Sequence, residues 1–162
     1  MREIFEKLPR LTLNDKVDFL IDTCFFAWIF ENHKQKEFKS LLKEKVFALT
    51  SFNVEEFLFI HNDLHNDINI AARKFFHHTN KLFVLEVPVH PGDADKEHAF
   101  VKSVLPDLDT IEHDPSDAVI LAAAIETGAS ILTRDKHDIF NSTLENFLEK
   151  HGVKAFNTFH KS

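Results

Sequence analysis

The chain has 162 residues, enough for one domain with a substantial core and too few for two ordinary ones. Apolar residues make up 44% of it and 18 are Phe, which excludes a disordered chain. A formal net charge of -7 disfavours nucleic-acid binding through a basic surface, although divalent cations held by clustered carboxylates can reverse the local sign.

No apolar run reaches the length of a bilayer span, because Lys16, Asp18 and Asp22 interrupt even the Phe-rich stretch near residue 25. The opening residues Met1 to Lys7 lack the apolar core of a signal peptide, and the single Cys24 excludes an internal disulfide framework. Cytoplasm is the expected location, with no membrane partner. Gly92, Gly128 and Gly152 are the only glycines, so no Walker loop, dinucleotide fingerprint or Gly-x-Ser-x-Gly elbow can be built.

In chain order, residues 2–8 predict a short helix ending at Pro9, followed by a polar link to Lys16. Val17 to Ile21 reads as a strand with Asp22 at its C-terminal end. Asp22 or Thr23 can cap a buried helix over Cys24 to Phe30. His33 to Lys45 is amphipathic: Phe38, Leu41 and Leu42 face inward, and Lys36, Lys39 and Lys43 share the other face. Val46 to Leu49 is a second strand. Thr50, Ser51 and Asn53 then offer caps for a helix carrying Glu55 and Glu56. Residues 63–79 predict a further helix, Leu82 to Val87 a third strand, and Asp95 to Val104 a helix stopped before Pro106. After the helix and strand treated next, Asn141 to His151 is a last helix and Val153 to Phe156 a short final strand.

The stretch from Asp114 to Asp135 organises the rest. Asp114 is a suitable N-cap, Pro115 suits the first helical position, and Gly128 supplies a left-handed stop. Nothing from Ala118 to Ile125 is polar, so this helix is expected to be buried all round. From Asp117 to Gly128 it descends about 15 Å. The strand from Ala129 to Arg134 climbs back about 16 Å. Asp117 and Asp135 should therefore finish at the same sheet edge.

Strands alternating with helices predict a three-layer α/β/α fold with a central, mostly parallel sheet, spanning residues 1–162 as one domain with an N-terminal extension over 1–16. Ligands of such sheets bind beyond the carboxyl ends of the strands. Asp22, Glu56, Asp117 and Asp135 come from four separate segments and converge there. An oxygen-only set suits Mg²⁺ or Mn²⁺ and not Zn²⁺. Clustered like charges repel unless a cation joins them, and a metal so held activates water and stabilises charge on a phosphodiester.

Leu20-Ile21-Asp22-Thr23, Asn53-Val54-Glu55-Glu56-Phe57, the run from Asp117 to Ala124 and Leu132-Thr133-Arg134-Asp135-Lys136 resemble the four acidic motifs of the PIN-domain family, in order, over about residues 17–156. The resemblance implies a metal-dependent ribonuclease with a central parallel sheet, with Asp22, Glu56, Asp117 and Asp135 as the catalytic, metal-binding acids and Thr133 supporting them. It also implies RNA as substrate, homodimers, and often the toxin role in a toxin–antitoxin pair, with a small antitoxin protein as partner. An RNA-processing nuclease is the other active form. A catalytically inert module holding RNA or protein, and a phosphatase acting on small molecules, are the competing functions. Compact toxin members begin almost at the first strand, whereas about 16 residues precede it here.

Each residue also has an ordinary reading. Asp117 can serve the helix end, Asp135 open a turn, Asp22 only cap, and Glu56 sit at the surface. Glu55 competes with Glu56, and Asp138 can supplement Asp135. Asp114 is expected to cap and not to ligate. His61 and His65 have metal spacing on a helix but no third ligand, and His77 and His78 point apart. Cys24 is expected to be a buried thiol and not a nucleophile. The stripe of Lys36, Lys39 and Lys43 is a solvated face or a set of phosphate contacts. For Arg134 a phosphate contact and a structural salt bridge stand equal.

Overall fold

The computed structural model describes residues 1–79, 81–108, 115–134 and 142–159. Its elements are α1 (Arg2–Glu6), β1 (Arg10–Leu11), β2 (Phe19–Ile21), α2 (Thr23–Glu31), α3 (Gln35–Leu41), β3 (Phe47–Thr50) and α4 (Ser51–Ile60). A 3-10 turn (His61–Asp63) leads to α5 (Asn66–His77), β4 (Phe83–Leu85) and α6 (Ala94–Val104). The remainder comprises α7 (Pro115–Thr127), β5 (Ser130–Leu132), α8 (Ser142–Lys150) and β6 (Ala155–Phe156).

The strands form one six-stranded sheet in the order β1-β4-β3-β2-β5-β6, and every pairing is parallel. The sheet expected to be mostly parallel is parallel throughout its described strands. Parallel strands covered on both faces read as continuous apolar runs, as Phe19-Leu20-Ile21 and Phe47-Ala48-Leu49 do. Alternate strand residues enter opposite cores. Leu20, Ala48, Leu85 and Ile131 join a cluster with α6, α7 and α8. Ile21, Leu49, Val84 and Leu132 join a Phe-rich cluster with α1, α2, α3 and α5. These two clusters are the cores of the three layers.

The helix expected to be buried all round over Ala118 to Ile125 is so through Ala124, each residue at most 3% exposed, and Ile125 is partly buried. Gly128 ends it at φ +72, where the Ala129 N–H donates to Ala124 O at 3.0 Å. Residue 114, the cap expected for it, lies outside the described residues.

Two stretches depart from the reading of the sequence. Residues 10–11, expected within a polar link, form an edge strand in register with Val84 and Leu85. Two residues flanked by Pro9 and Thr12 carry too little alternation to signal a strand, and it is the pairing with β4 that makes one. The helix expected over 33–45 covers only Gln35–Leu41: His33 at φ +55 turns the chain sharply before it, and after it the Lys43 and Glu44 N–H groups donate to Ser40 O and Leu41 O in turns. Lys43 therefore lies beyond the helix that was expected to carry it.

β2 sits between β3 and β5, so the chain leaves it first to one side and later to the other. That reversal opens a crevice at the carboxyl ends of β2, β3 and β5.

Candidate metal centre and active site

Asp22 follows the last residue of β2 and caps α2, its Oδ1 accepting from the Thr23 N–H at 2.8 Å. The backbone N–H of Asp22 donates to Leu132 O at 2.9 Å, tying it to the end of β5. One residue on, the fully buried Thr133 donates its hydroxyl to Asp22 Oδ2 at 2.9 Å. Thr133, expected to support the acids, is thus hydrogen-bonded to Asp22.

The end of β3 contributes the second arm. Thr50 caps α4, accepting from the Asn53 N–H at 2.9 Å, and its hydroxyl donates to Asn53 Oδ1 at 2.7 Å. With its oxygen fixed, the buried Asn53 amide must turn its nitrogen toward the crevice. Nδ2 stands 3.0 Å from Glu56 Oε1, 3.2 Å from Thr23 Oγ1 and 3.4 Å from Asp22 Oδ1. Carboxylates from two separate segments therefore share one donor. The motifs as read treated Thr23 and Asn53 only as caps; the i to i+3 spacing of Asn53 and Glu56 was the available signal.

Asp117, in the first turn of α7, lines the same cleft of about 460 Å³ with Asp22, Thr23, Cys24, Glu56, Ile60 and Arg134. Helix N-termini here favour negative charge. Glu56, and not Glu55, occupies the cleft: Glu55 Oε1 is 2.6 Å from His90 Nδ1 instead. Asp135, Asp138 and Asp114 lie outside the described residues. Among the described residues no three His, Cys, Asp or Glu side chains form a ready-made metal centre. The donors that line the cleft are nonetheless mainly carboxylates, the set that a hard divalent cation takes.

Arg134 closes the rim. Its guanidinium carbon lies 4.7 Å from the centroid of Trp28, and Nη1 donates to Asn157 O. No carboxylate pairs with it among the described residues.

Cys24 corrects an expectation. The thiol expected to be buried is exposed at the cleft, because the first turn of α2 faces it. Its sulfur lies 3.3 Å from Asp22 Oδ2 and 3.6 Å from Thr133 Oγ1. Desolvation by the protein on its inner side, then the charge of Asp22, push its pKa up to about 11. Such a thiol stays protonated near neutrality.

Other candidates stand apart. Lys36 and Lys39 flank a groove of about 520 Å³ with Ile70, Lys74 and Phe75, away from the acids. A larger groove of about 730 Å³ lies at the opposite end of the strands, beside Phe19 and Phe47, and gathers both signs of charge. His65 Nδ1 accepts from the Asp67 N–H, so it serves as a cap.

The class defined by this fold and cleft is a parallel α/β protein with an acidic crevice at the switch point of its sheet. The PIN domain family model matches residues 19–143, and the chain belongs to that family. No curated protein matches the chain in sequence. Solved structures share the fold, two of them as follows. VapBC2 from Rickettsia felis, bound to a DNA fragment from their promoter, superimposes with a TM-score of 0.56 at 12% identity, covering 85% of this chain and 96% of that one. DNA-bound VapBC from Salmonella typhimurium gives 0.54 at 15% identity, covering 86% and 97%. No described helix is long and apolar enough to cross a membrane.

Proposed function

We propose that the chain is a metal-dependent endoribonuclease that hydrolyses RNA phosphodiester bonds. The observation that carries this reading is the shared hydrogen-bond donor: Asn53 Nδ2 faces both Asp22 and Glu56, in the cleft that Asp117 also lines. Asp22, Glu56, Asp117 and Asp135 would hold the ion, Mg²⁺ or Mn²⁺ by donor type. When bound, it supplies Lewis acidity and lowers the pKa of a water.

The chain's own residues do the rest. Thr133 and the Thr23 N–H fix the two oxygens of Asp22, so its carboxylate cannot rotate away from the cleft. Thr50 fixes the Asn53 amide, which in turn orients Glu56. Arg134, held on Trp28, presents a cation to the scissile phosphate. Lys36 and Lys39 lie off the cleft and would meet only the backbone of a longer RNA.

The likeness to VapBC structures supports, at fold level, a toxin role with a small antitoxin protein as partner, and a homodimer is part of the same proposal without support from those structures. A second reading, an inert PIN module that holds RNA or protein, is favoured by the net charge of -7 and by the missing three-ligand group among the described residues. Labelled single-stranded RNA incubated with the protein and Mn²⁺ separates them. The nuclease yields 5′-phosphate and 3′-hydroxyl products, and Asp117→Asn abolishes them. Equal cleavage by parent and variant would remove the assignment.

A further inference from the structure

Helix α4 carries two phenylalanines two residues apart with opposite fates. Phe57 is fully buried in the Phe-rich core, whereas Phe59 is 85% exposed. A spacing of two turns a helical side chain by about 200°, so the helix that buries Phe57 must aim Phe59 outward. Among the described residues only Phe59 and Ile70 are large apolar side chains left exposed. Phe59 makes no ring contact with another aromatic among them, whereas Phe57 on the same helix meets Phe5 and Phe26.

Its position gives the exposure a purpose. Phe59 stands three residues beyond Glu56 on the same helix, which places their Cβ atoms about 5–6 Å apart. Ile60, the next residue, lines the acidic cleft itself. Phe59 does not itself line the cleft; it follows the lining around α4, next to Ile60 and between the Glu55 and Glu56 directions. In a nucleotide the base projects about one side-chain length from its phosphate. A phosphodiester held among the acids would thus put a neighbouring base within reach of Phe59.

Charge points to the same occupant. A chain of net charge -7 gains little from long-range attraction of RNA, so a contact that does not depend on charge would add to the local phosphate contacts at the cleft. Stacking of a base on an aromatic face is such a contact, and it requires an unpaired base. We propose that Phe59 is a base-stacking platform for single-stranded RNA, seating one unpaired nucleotide beside the cleft. The proposal rests on the nuclease reading for the identity of the polymer, and it adds single-strandedness at a defined nucleotide.

The test is a binding cycle in the Asp117→Asn background, where turnover is suppressed. A fluorescein-labelled single-stranded RNA and a series of the same RNA with one abasic residue are titrated by anisotropy against Phe59, Phe59→Ala and Phe59→Trp proteins. Phe59→Ala should weaken the intact RNA roughly tenfold, while Phe59→Trp keeps its affinity. One abasic position should weaken binding to Phe59 protein by a similar factor and cost nothing against Phe59→Ala. The slope of log K on log salt should not change with Phe59→Ala, since no phosphate contact is lost. Equal affinity of Phe59→Ala for the intact RNA, an abasic penalty that survives it, or failure of the protein that retains Phe59 to bind RNA would overturn the proposal. So would a Phe59→Ala protein that only loses a dimer in sedimentation equilibrium, which would show the ring covered by a second copy. Mn²⁺-dependent cleavage without Phe59–base coupling defeats this inference alone. Coupling in a chain that never cuts defeats the nuclease reading alone.

Discussion

The side-chain amide of Asn53 donates to Glu56 Oε1 at 3.0 Å, and the same nitrogen reaches Asp22 Oδ1 at 3.4 Å. Two carboxylates that would otherwise repel across the crevice are held by one neutral donor, itself locked by Thr50. Asn53→Ala should therefore weaken Mn²⁺ binding by about 10–100-fold, the usual effect of losing a group that orients metal ligands. It should also cost about 1–3 kcal/mol of stability, because Thr50 loses its buried partner. Asn53→Asp should be worse without metal and partly restored by Mn²⁺, since a third charge then has a cation to meet. Calorimetric Mn²⁺ isotherms and urea midpoints with and without Mn²⁺ check both; an unchanged isotherm for Asn53→Ala would contradict the orienting role.

How much of this was legible in the sequence depended on the range of the signal. The α7–β5 unit was legible because both of its cues are local: an unbroken apolar run with a Pro start and a Gly stop, and a return strand of matching length. The placement of Asp22 and Glu56 in one cleft was legible because Asp22 lies just past β2 and Glu56 in the first turns of the helix after β3, at the edge where such sheets bind ligands. The role of Asn53 was not, because it depends on the Thr50 hydroxyl turning an amide that sequence shows only as a cap. The exposure of Cys24 was hidden for a similar reason. Its neighbours Phe25 and Phe26 are core residues, and only the direction of the first turn of α2 decides which residue faces the cleft. The edge strand at Arg10–Leu11 was beyond reach, since two residues have no period.

Cys24 gives a pH prediction. With its pKa raised to about 11, first by desolvation and then by Asp22, the folded state keeps its proton while an unfolded thiol has lost it. Unfolding thus releases a proton between about pH 9 and 11, and stability falls as pH rises through that window. At pH 8 only about one thiol in a thousand is ionised, against roughly one in ten for a thiol with the ordinary value of 9.0. Iodoacetamide at pH 8 should accordingly alkylate the folded protein up to about a hundredfold more slowly than the urea-unfolded chain. Asp22→Asn removes one of the two main causes and should speed the folded-state reaction. Alkylation at equal rates in folded and unfolded protein would rule out the shift.

Trp28 and Arg134 form the next testable pair. The guanidinium sits 4.7 Å from the indole centroid, so the ring limits where the charge can go. Trp28→Phe retains an aromatic face but a weaker one, and about 0.5–1 kcal/mol of cation–π energy is at stake at a partly exposed site. If Arg134 meets the scissile phosphate, kcat/KM for RNA should fall by about 2–5-fold, with Mn²⁺ affinity unchanged. Arg134→Ala should fall further and make Trp28→Phe silent in the double variant. Additive losses in the double variant would mean that the two residues act separately.

The N-terminal segment makes the last prediction. Phe5 is 1% exposed, and its ring meets Phe26, Phe57 and Phe76 at centroid distances of 6.1, 5.8 and 5.4 Å. With α1 anchored there, β1 is laid along β4, where Pro9 O and Leu11 O accept from Val84 and Glu86 N–H at 2.9 and 2.8 Å. Anchor and strand are therefore unequal contributors. Phe5→Ala should cost about 3–5 kcal/mol, since a large aromatic leaves a hole that rigid neighbours cannot fill. Arg10→Ala removes a half-exposed contact to Glu86 at 3.4 Å and should cost at most about 1 kcal/mol. Deleting residues 1–16 uncovers the ladder edge of β4, and an uncovered edge pairs with other chains. Urea denaturation should rank the two substitutions in that order, and light scattering should show the truncated chain associating. A Phe5→Ala midpoint equal to that of Arg10→Ala would mean that the segment is held by its strand and not by its ring.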